Sequence, residues 1–392
     1  MNEGPLAGLL VVDLGRALAA PHAAMMLGDL GARVVKVESP QGDDTRRWGP
    51  PFVGPAGQEE STYFLSCNRN KESVVLDLRL EADLGVLRAL LVEADVLVEN
   101  FRPGVLERLG LGLEVLRALN PRLVVLSITG FGHDGPDGGR AGYDQIAQGE
   151  AGLMSLTGAA PGEEQRVGVP VGDLLAGMNG AVGVLAALHE RERTGTGQVV
   201  RTSLLASVVA AHSFQGTRWT VAGEVPRARG NHHPSIAPYG LFRAGDGAVQ
   251  VACGSEALWR ALCSALGLDP GAEGLATNDE RVRNRNLLVA RLEASFAERD
   301  VGEVLELLSR AGVPCGVVRT LDEVYEWEQT RSQGLVVTVD HETLGPTSLP
   351  GPPLRLFGHD GRERTPGAHR PPPTLGRHDE SVREWLSSRV GR

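Results

Sequence analysis

One alternation in the first 130 residues limits the fold more than any other feature of the chain. Short runs of branched apolar residues recur as LLVVDLG (9–15), ARVVKVE (32–38), SVVLDL (73–78), DVLVENF (95–101) and RLVVLSITG (122–130). Helix-like stretches separate them, through MMLGDL with Pro21 in its first turn and Gly31 to end it, over 82–93, and near 105–118. Strands parted by a helix-length crossover pair in parallel, because a tight hairpin cannot join parallel neighbours. The pattern therefore predicts an α/β fold with a large Rossmann-like, doubly wound sheet.

Beyond residue 130 the spacing predicts one long helix over 174–193, ending at Thr194-Gly195, and a connecting helix over 201–216. Gly177, Gly180 and Gly183 recur every third residue in the long helix, leaving a groove that another backbone could approach closely. Each glycine costs about 1 kcal/mol against alanine there, so the repeat points to tight packing. The texture changes near residue 217. A hairpin in YGLFRAGDGAVQVACG, helices over 255–266, 281–298 and 301–312, and the strand-like VPCGVVRT predict a smaller α+β unit. The strand-like LVVTVD and a Pro-rich tail, HRPPPTLGRHDESVREWL, close the chain. These changes set boundaries at 1–216, 217–325 and 326–392.

Composition narrows the partners. A net charge of −10 argues against a nucleic-acid backbone as ligand. Lysine is almost absent, with Lys36 and Lys71 against 39 basic residues in all, which reads as codon bias. The four cysteines lack the spacing of a zinc site or a disulfide framework. The N-terminus opens straight into a strand, and no apolar run approaches the roughly 20 residues of a membrane span. The expectation is a soluble, cytoplasmic protein with no metal and no permanently bound cofactor.

The turn after the first strand, LGRALAAP, lacks the GxGxxG of dinucleotide-binding folds. Any nucleotide phosphates would then be met by arginines or helix N-termini. Arg46, Arg47, Arg69 with Lys71, Arg102, Arg108 and Arg140 supply the candidates, all in or near loops after strands. Glu38, at the end of the second strand, reads as a ribose-binding acid or as a solvated strand end. Asp173, in VGVPVGDLLAGMNG, has two readings of its own. Aspartate is among the best N-cap residues, while an ionised carboxylate among glycines can serve as a covalent nucleophile. The residues alone put the cap slightly ahead.

The blocks PLAGLLVVDLG, LGARVVKVESPQGDDTR, CNRNKESVVLDL, ADVLVENFRPGVLERLGL, NPRLVVLSITGFGHDGP, AGYDQIAQGEAGLMSLTG, VGDLLAGMNGAVGVLAAL and GNHHPSIAPYGLF resemble the family III CoA-transferases, the CaiB/BaiF family. AGVPCGVV and PPPTLGRHDE extend the resemblance over nearly the whole chain. It implies that Asp173 attacks an acyl-CoA thioester, forming an aspartyl–acyl anhydride and then an aspartyl-CoA thioester. By position, Arg16, Ser39, Leu76, Asp77, Arg79, Asn100, Phe101, Arg108 and Arg140 would line the CoA site, with Tyr143 beside it. Coenzyme A enters as a thioester substrate, and a carboxylic acid accepts it. The resemblance further implies an interlocked homodimer, a large domain built from both chain ends, and a small domain that selects the acyl group. Arg227, Arg229 and Arg243 are candidates to pair with the distal carboxylate of a dicarboxylic acid.

Departures from the family pattern carry information. Leu18 and Arg16 stand where the formyl-CoA transferases carry a glutamine and a histidine, and Cys253-Gly254-Ser255 lacks their glycine-rich lid. Both count against formate and oxalate as the pair of acids. The 2-methylacyl-CoA racemases, the alternative within the fold, use a histidine where this chain has Tyr143. A tyrosine of ordinary pKa about 10 is a poor substitute acid/base. A non-catalytic paralogue is a further alternative, opposed by the retained Asp173.

Overall fold

In the computed structural model, residues 4–389 are described, and they divide into two compact units. The first takes the chain up to Leu153, Val167–Ala222, and the stretch from Glu328 on; the second takes Met154–Arg166 and Gly223–Trp327.

The first unit holds a six-stranded sheet. Its strands are β1 (Leu10–Asp13), β2 (Arg33–Glu38), β3 (Lys71–Val75), β4 (Val96–Glu99), β5 (Val124–Thr129) and β6 (Val199–Ser203). They lie in the order β3-β2-β1-β4-β5-β6, with every pairing parallel. Alternate residues serve opposite faces. Val11, Val34, Val96 and Val124 pack toward helices α1 (Ala19–Asp29) and α5 (Val171–Thr194). Val12, Val35, Leu97 and Val125 pack toward α3 (Glu81–Glu93) and the C-terminal α10 (Asp379–Ser387). Burial on both faces explains why the strands read as continuous apolar runs. The order turns back at β1, whose neighbours β2 and β4 come from opposite directions of winding, and ligands of such sheets sit outside the carboxyl ends there.

Two expectations are corrected. Residues 199–203 form β6, so the predicted helix over 201–216 starts instead as α6 (Leu204–Ala211), with a further stretch of helix at Ser213–Thr220. The pairing of β6 with β5 extends the sheet and outweighs the helical tendency of RTSLLAS. The long helix begins at Val171 rather than Leu174. It has the length and hydropathy of a membrane span, yet its glycines are consumed by packing within the unit. A Cβ at Gly177 would lie 2.7 Å from the Ala19 carbonyl oxygen, one at Gly180 2.9 Å from Leu126, and one at Gly183 2.5 Å from Val200. The repeat thus fits α5 against α1, β5 and β6.

In the second unit, strands β7 (Tyr239–Arg243), β8 (Ala248–Ala252) and β9 (Cys315–Gly316) form an antiparallel sheet in the order β9-β8-β7. Helices α7 (Glu256–Leu266), α8 (Arg285–Phe296) and α9 (Val301–Arg310) close a core around Phe242, Trp259, Leu292 and Phe296. The hairpin and helices expected from the sequence are present, although the helix over 281–298 is broken at Asn284.

Candidate active site

The turn between β1 and α1, residues 14–18, is pinned along its backbone. The Leu14 amide donates to the Val98 carbonyl at 2.8 Å. Gly15 donates to Asp13 Oδ1 at 2.8 Å, and Arg16 exchanges two hydrogen bonds with the Asn100 side chain, both 2.8 Å. Ala17 adopts a left-handed φ of 62°, costly for a residue with a Cβ, and its amide reaches Asp43 Oδ1 at 3.3 Å.

One side of this turn borders a cavity of about 260 Å³ at the carboxyl ends of the first four strands. Arg16, Ser39, Leu76, Asp77, Arg79 and Phe101 all line it, and Asn100 holds the turn that carries Arg16. Six expected residues thus meet at one cavity. Arg108 is exposed beside Leu109, which also lines the cavity. Arg140 lies elsewhere, forked onto Glu150 at 2.8 and 2.6 Å and stacked over Phe131. Tyr143 is exposed, ahead of helix α4 (Asp144–Glu150) and edge-on to Trp48.

The other side of the turn meets Asp173. The expected cap at Asp173 is not found: α5 starts two residues earlier, Pro170 occupies its N-cap position, and no side chain caps it there. Instead the Gly172 amide donates to the buried Asp144 at 2.7 Å, and Asp144 also accepts from Gln148 at 2.6 Å. Asp173 lies by the N-terminus of α1, which has no side-chain cap of its own, and the Ala19 amide there favours its charged form. Burial and then the nearby charge of Asp144 push the Asp173 carboxyl up to about 7, against the Ala19 amide, which favours the charged form. A carboxylate kept this basic is a stronger nucleophile than an ordinary aspartate.

Sequence reasoning missed the aromatic surroundings. Helix α2 (Thr62–Ser66) presents Tyr63, whose hydroxyl is pushed up by burial and then by the charge of Asp173. Trp48 packs edge-on against Tyr63 at 5.0 Å and against Tyr143 at 6.5 Å. Nothing in the local sequence links these three residues; the fold brings them together.

Several expected phosphate ligands are structural instead. Arg69 is buried on Asp29, and Arg46 is paired with Glu38 at 2.7 Å. Glu38 is buried, accepting also from Ser73 and the Asp43 amide, so it is not a solvated strand end. Lys71 is fully buried and cannot meet a ligand phosphate. In the second unit Arg227, Arg229 and Arg243 are not buried. Arg229 lies near Arg285, whose pKa is lowered by burial and then by this second cation. Arg285 donates to the His233 carbonyl at 2.7 Å, while its buried Nε has no partner.

Known proteins match this chain over most of its length. The family model described as CoA-transferase family III matches residues 6–379. The human succinyl-CoA:glutarate CoA-transferase is 39% identical over 384 residues, covering 97% of this chain and 86% of the relative. The acetyl-CoA:oxalate CoA-transferase of Acetobacter aceti is 38% identical, over 93% of this chain and 92% of the relative. A crystal structure of a CaiB/BaiF family protein from Brucella suis superposes with a TM-score of 0.86 at 39% identity, covering 98% of this chain and 100% of that one. Matches of this extent and identity make the chain a member of CoA-transferase family III, and the protein a CoA-transferase.

Proposed function

We propose that Asp173 is the covalent nucleophile through which this enzyme moves CoA from an acyl-CoA to a carboxylic acid. The observation that carries the proposal is the desolvated Asp173 carboxyl by the N-terminus of α1, raised to about 7. Its carboxylate attacks the thioester carbonyl and expels CoA thiolate, leaving an aspartyl–acyl anhydride. The thiolate attacks the aspartyl carbonyl, releasing the donor acid and leaving an aspartyl-CoA thioester. The acceptor carboxylate repeats the two exchanges in reverse, and Asp173 is freed. Carboxylate and thiolate trade places at each step, with no change in oxidation state.

The cavity beside Arg16 is proposed to hold part of the CoA, with Ser39, Leu76, Asp77, Arg79, Asn100 and Phe101 around it, while Arg108, Arg140 and Tyr143, exposed outside it, are proposed to meet the rest of the CoA. Arg16 and Arg79 suit the CoA phosphates, since an arginine fork matches a phosphate's oxygens. Both relatives described above act, by name, on dicarboxylic acids, glutarate and oxalate. A dicarboxylic acid is accordingly proposed as one substrate here. A homodimer, interlocked as in the family, is supported by apolar side chains left in solvent, among them Met178, Val182 and Leu185 on α5 and Val209 on α6.

The test of the nucleophile is intact-mass analysis after incubation with an acyl-CoA and hydroxylamine. A hydroxamate on Asp173, and loss of turnover in Asp173→Ala, are expected. Full transferase activity in Asp173→Ala would rule the mechanism out.

A further inference from the structure

The chain has two lysines, and both lie inside the sheet at the foot of the β1–α1 turn. Lys36 Nζ donates to the Gly15 carbonyl at 2.8 Å and to Asp43 Oδ2 at 2.9 Å, and stands 4.0 Å from Asp13 Oδ2. Lys71 Nζ donates to Asp13 Oδ2 at 2.8 Å, the Pro21 carbonyl at 2.7 Å and Asn68 Oδ1 at 2.9 Å. The three donors of Lys71 are thus fully engaged, and both ammonium groups are dry. A buried point of converging oxygens suits a compact ammonium and not the wide planar fork of arginine. That contrast explains why a chain otherwise committed to arginine keeps lysine here.

The contacts are directed at one object. Lys36 grips the start of the turn through Gly15, and through Asp43 it holds the acceptor of the left-handed Ala17 amide. Lys71 grips the far end through Pro21, two residues beyond Ala19. Asp13 sits between the lysines and takes the Gly15 amide on its other oxygen. The amide that meets Asp173 lies between these grips.

We propose that Lys36 and Lys71, joined through Asp13, are positioning residues that hold the β1–α1 turn so that the Ala19 amide meets the Asp173 carboxylate. The proposal rests on the reading of Asp173 as nucleophile. Its consequence is chemical as well as structural, because that amide opposes the burial and the Asp144 charge that raise Asp173. The other titratable groups near Asp173 are Tyr63 on α2 and, from α1, His22, which packs near Gly177. His22 is lowered to about 4 by burial, then by Lys71 and Arg69, and so stays neutral across the working range. Cys67, Asp144 and Asp43 also act to raise Tyr63.

The experiment is the pH profile of kcat/KM in the double variant Asp13→Asn/Lys71→Met. Neither charge is among the causes that shift Asp173, and the two are removed together, so the geometry of the turn changes most there, while His22 loses the nearby Lys71 charge that lowers it. The midpoint should move upward, with activity at about pH 6.5 falling roughly threefold to tenfold more than at about pH 9. Lys71→Arg, which keeps the charge but not the shape, should move it the same way. A wild-type midpoint in either folded variant, or an equal loss at both pH values, overturns the proposal. Hydrogen exchange on the wild-type enzyme gives a reading that needs no variant: the segment from Gly15 to Pro21 should exchange slowly, and rapid exchange there also overturns it. Asp173→Ala separates the two readings. An active Asp173→Ala enzyme defeats the nucleophile, whereas an inactive one with unmoved midpoints in the lysine variants defeats the positioning alone.

Discussion

Asp173 should cost the protein stability, and Asp173→Asn should recover it. The carboxyl rises from its ordinary 3.8 to about 7 on folding, so the fold prefers the protonated form. Stability linked to this group is complete below the unfolded value and is lost as pH rises through the folded one. Between 3.8 and about 7 the shift corresponds to about 4 kcal/mol when the group is fully ionised, near pH 8, and to about 1.5 kcal/mol near pH 5. Asparagine removes the charge and with it the favourable interaction of that charge with the Ala19 amide, about 1 kcal/mol. Asp173→Asn should therefore be more stable than wild type by about 2–3 kcal/mol near pH 8 and by almost nothing near pH 5. Thermal unfolding of both proteins at the two pH values measures it, with a gain in Tm of about 4 °C or more expected only at the higher pH. Equal melting at pH 8, or the same gain at both pH values, would refute the account of Asp173 as a desolvated carboxylate. The same shift fixes the sign of the rate profile. Attack needs the ionised form, so wild-type kcat/KM should climb as pH rises through about 7.

Other perturbations address the neighbouring parts. Gly177→Ala gains about 1 kcal/mol of helix propensity but forces a methyl to 2.7 Å from the Ala19 carbonyl, so a net loss of about 1–2 kcal/mol in denaturant unfolding, with a larger proportional fall in kcat, is expected. Arg16→Ala should raise KM for the acyl-CoA roughly tenfold while leaving kcat within about threefold, a split that steady-state kinetics reads directly. Amine acylation of the native enzyme with an N-hydroxysuccinimide ester, read by peptide mass spectrometry, should leave Lys36 and Lys71 unmodified until the chain is unfolded.

Sheet and site differ in how far local pattern reaches. The strands are legible because burial on both faces demands unbroken apolar runs, and those runs are local. Residues 199–203 escape because VVRTS is only partly buried along its length, and its strand character comes from pairing with β5. The residues around the cavity can be named from the resemblance because they lie just after consecutive strands, and the carboxyl ends of parallel strands draw such loops to one edge of the sheet. Asp173 stands out as a residue, but its environment does not. The amide that favours its charge is that of Ala19, at the start of a helix far earlier in the chain, and neither that amide nor the neighbouring carboxylate of Asp144 carries a local signal. Adjacency suggests capping, whereas the structure meets the Gly172 amide with Asp144 and turns Asp173 to the Ala19 amide. The lysines teach the same point from the other side. In the sequence their rarity is a property of composition, and the arginines look like the site. Only the packed turn shows that arginines stand where a fork can reach solvent or a carboxylate, and lysine is kept where three oxygens converge on one nitrogen. A scarce residue type buried beneath a turn like this one is therefore a signal worth reading in other chains of this composition, because scarcity makes each retained copy a local requirement.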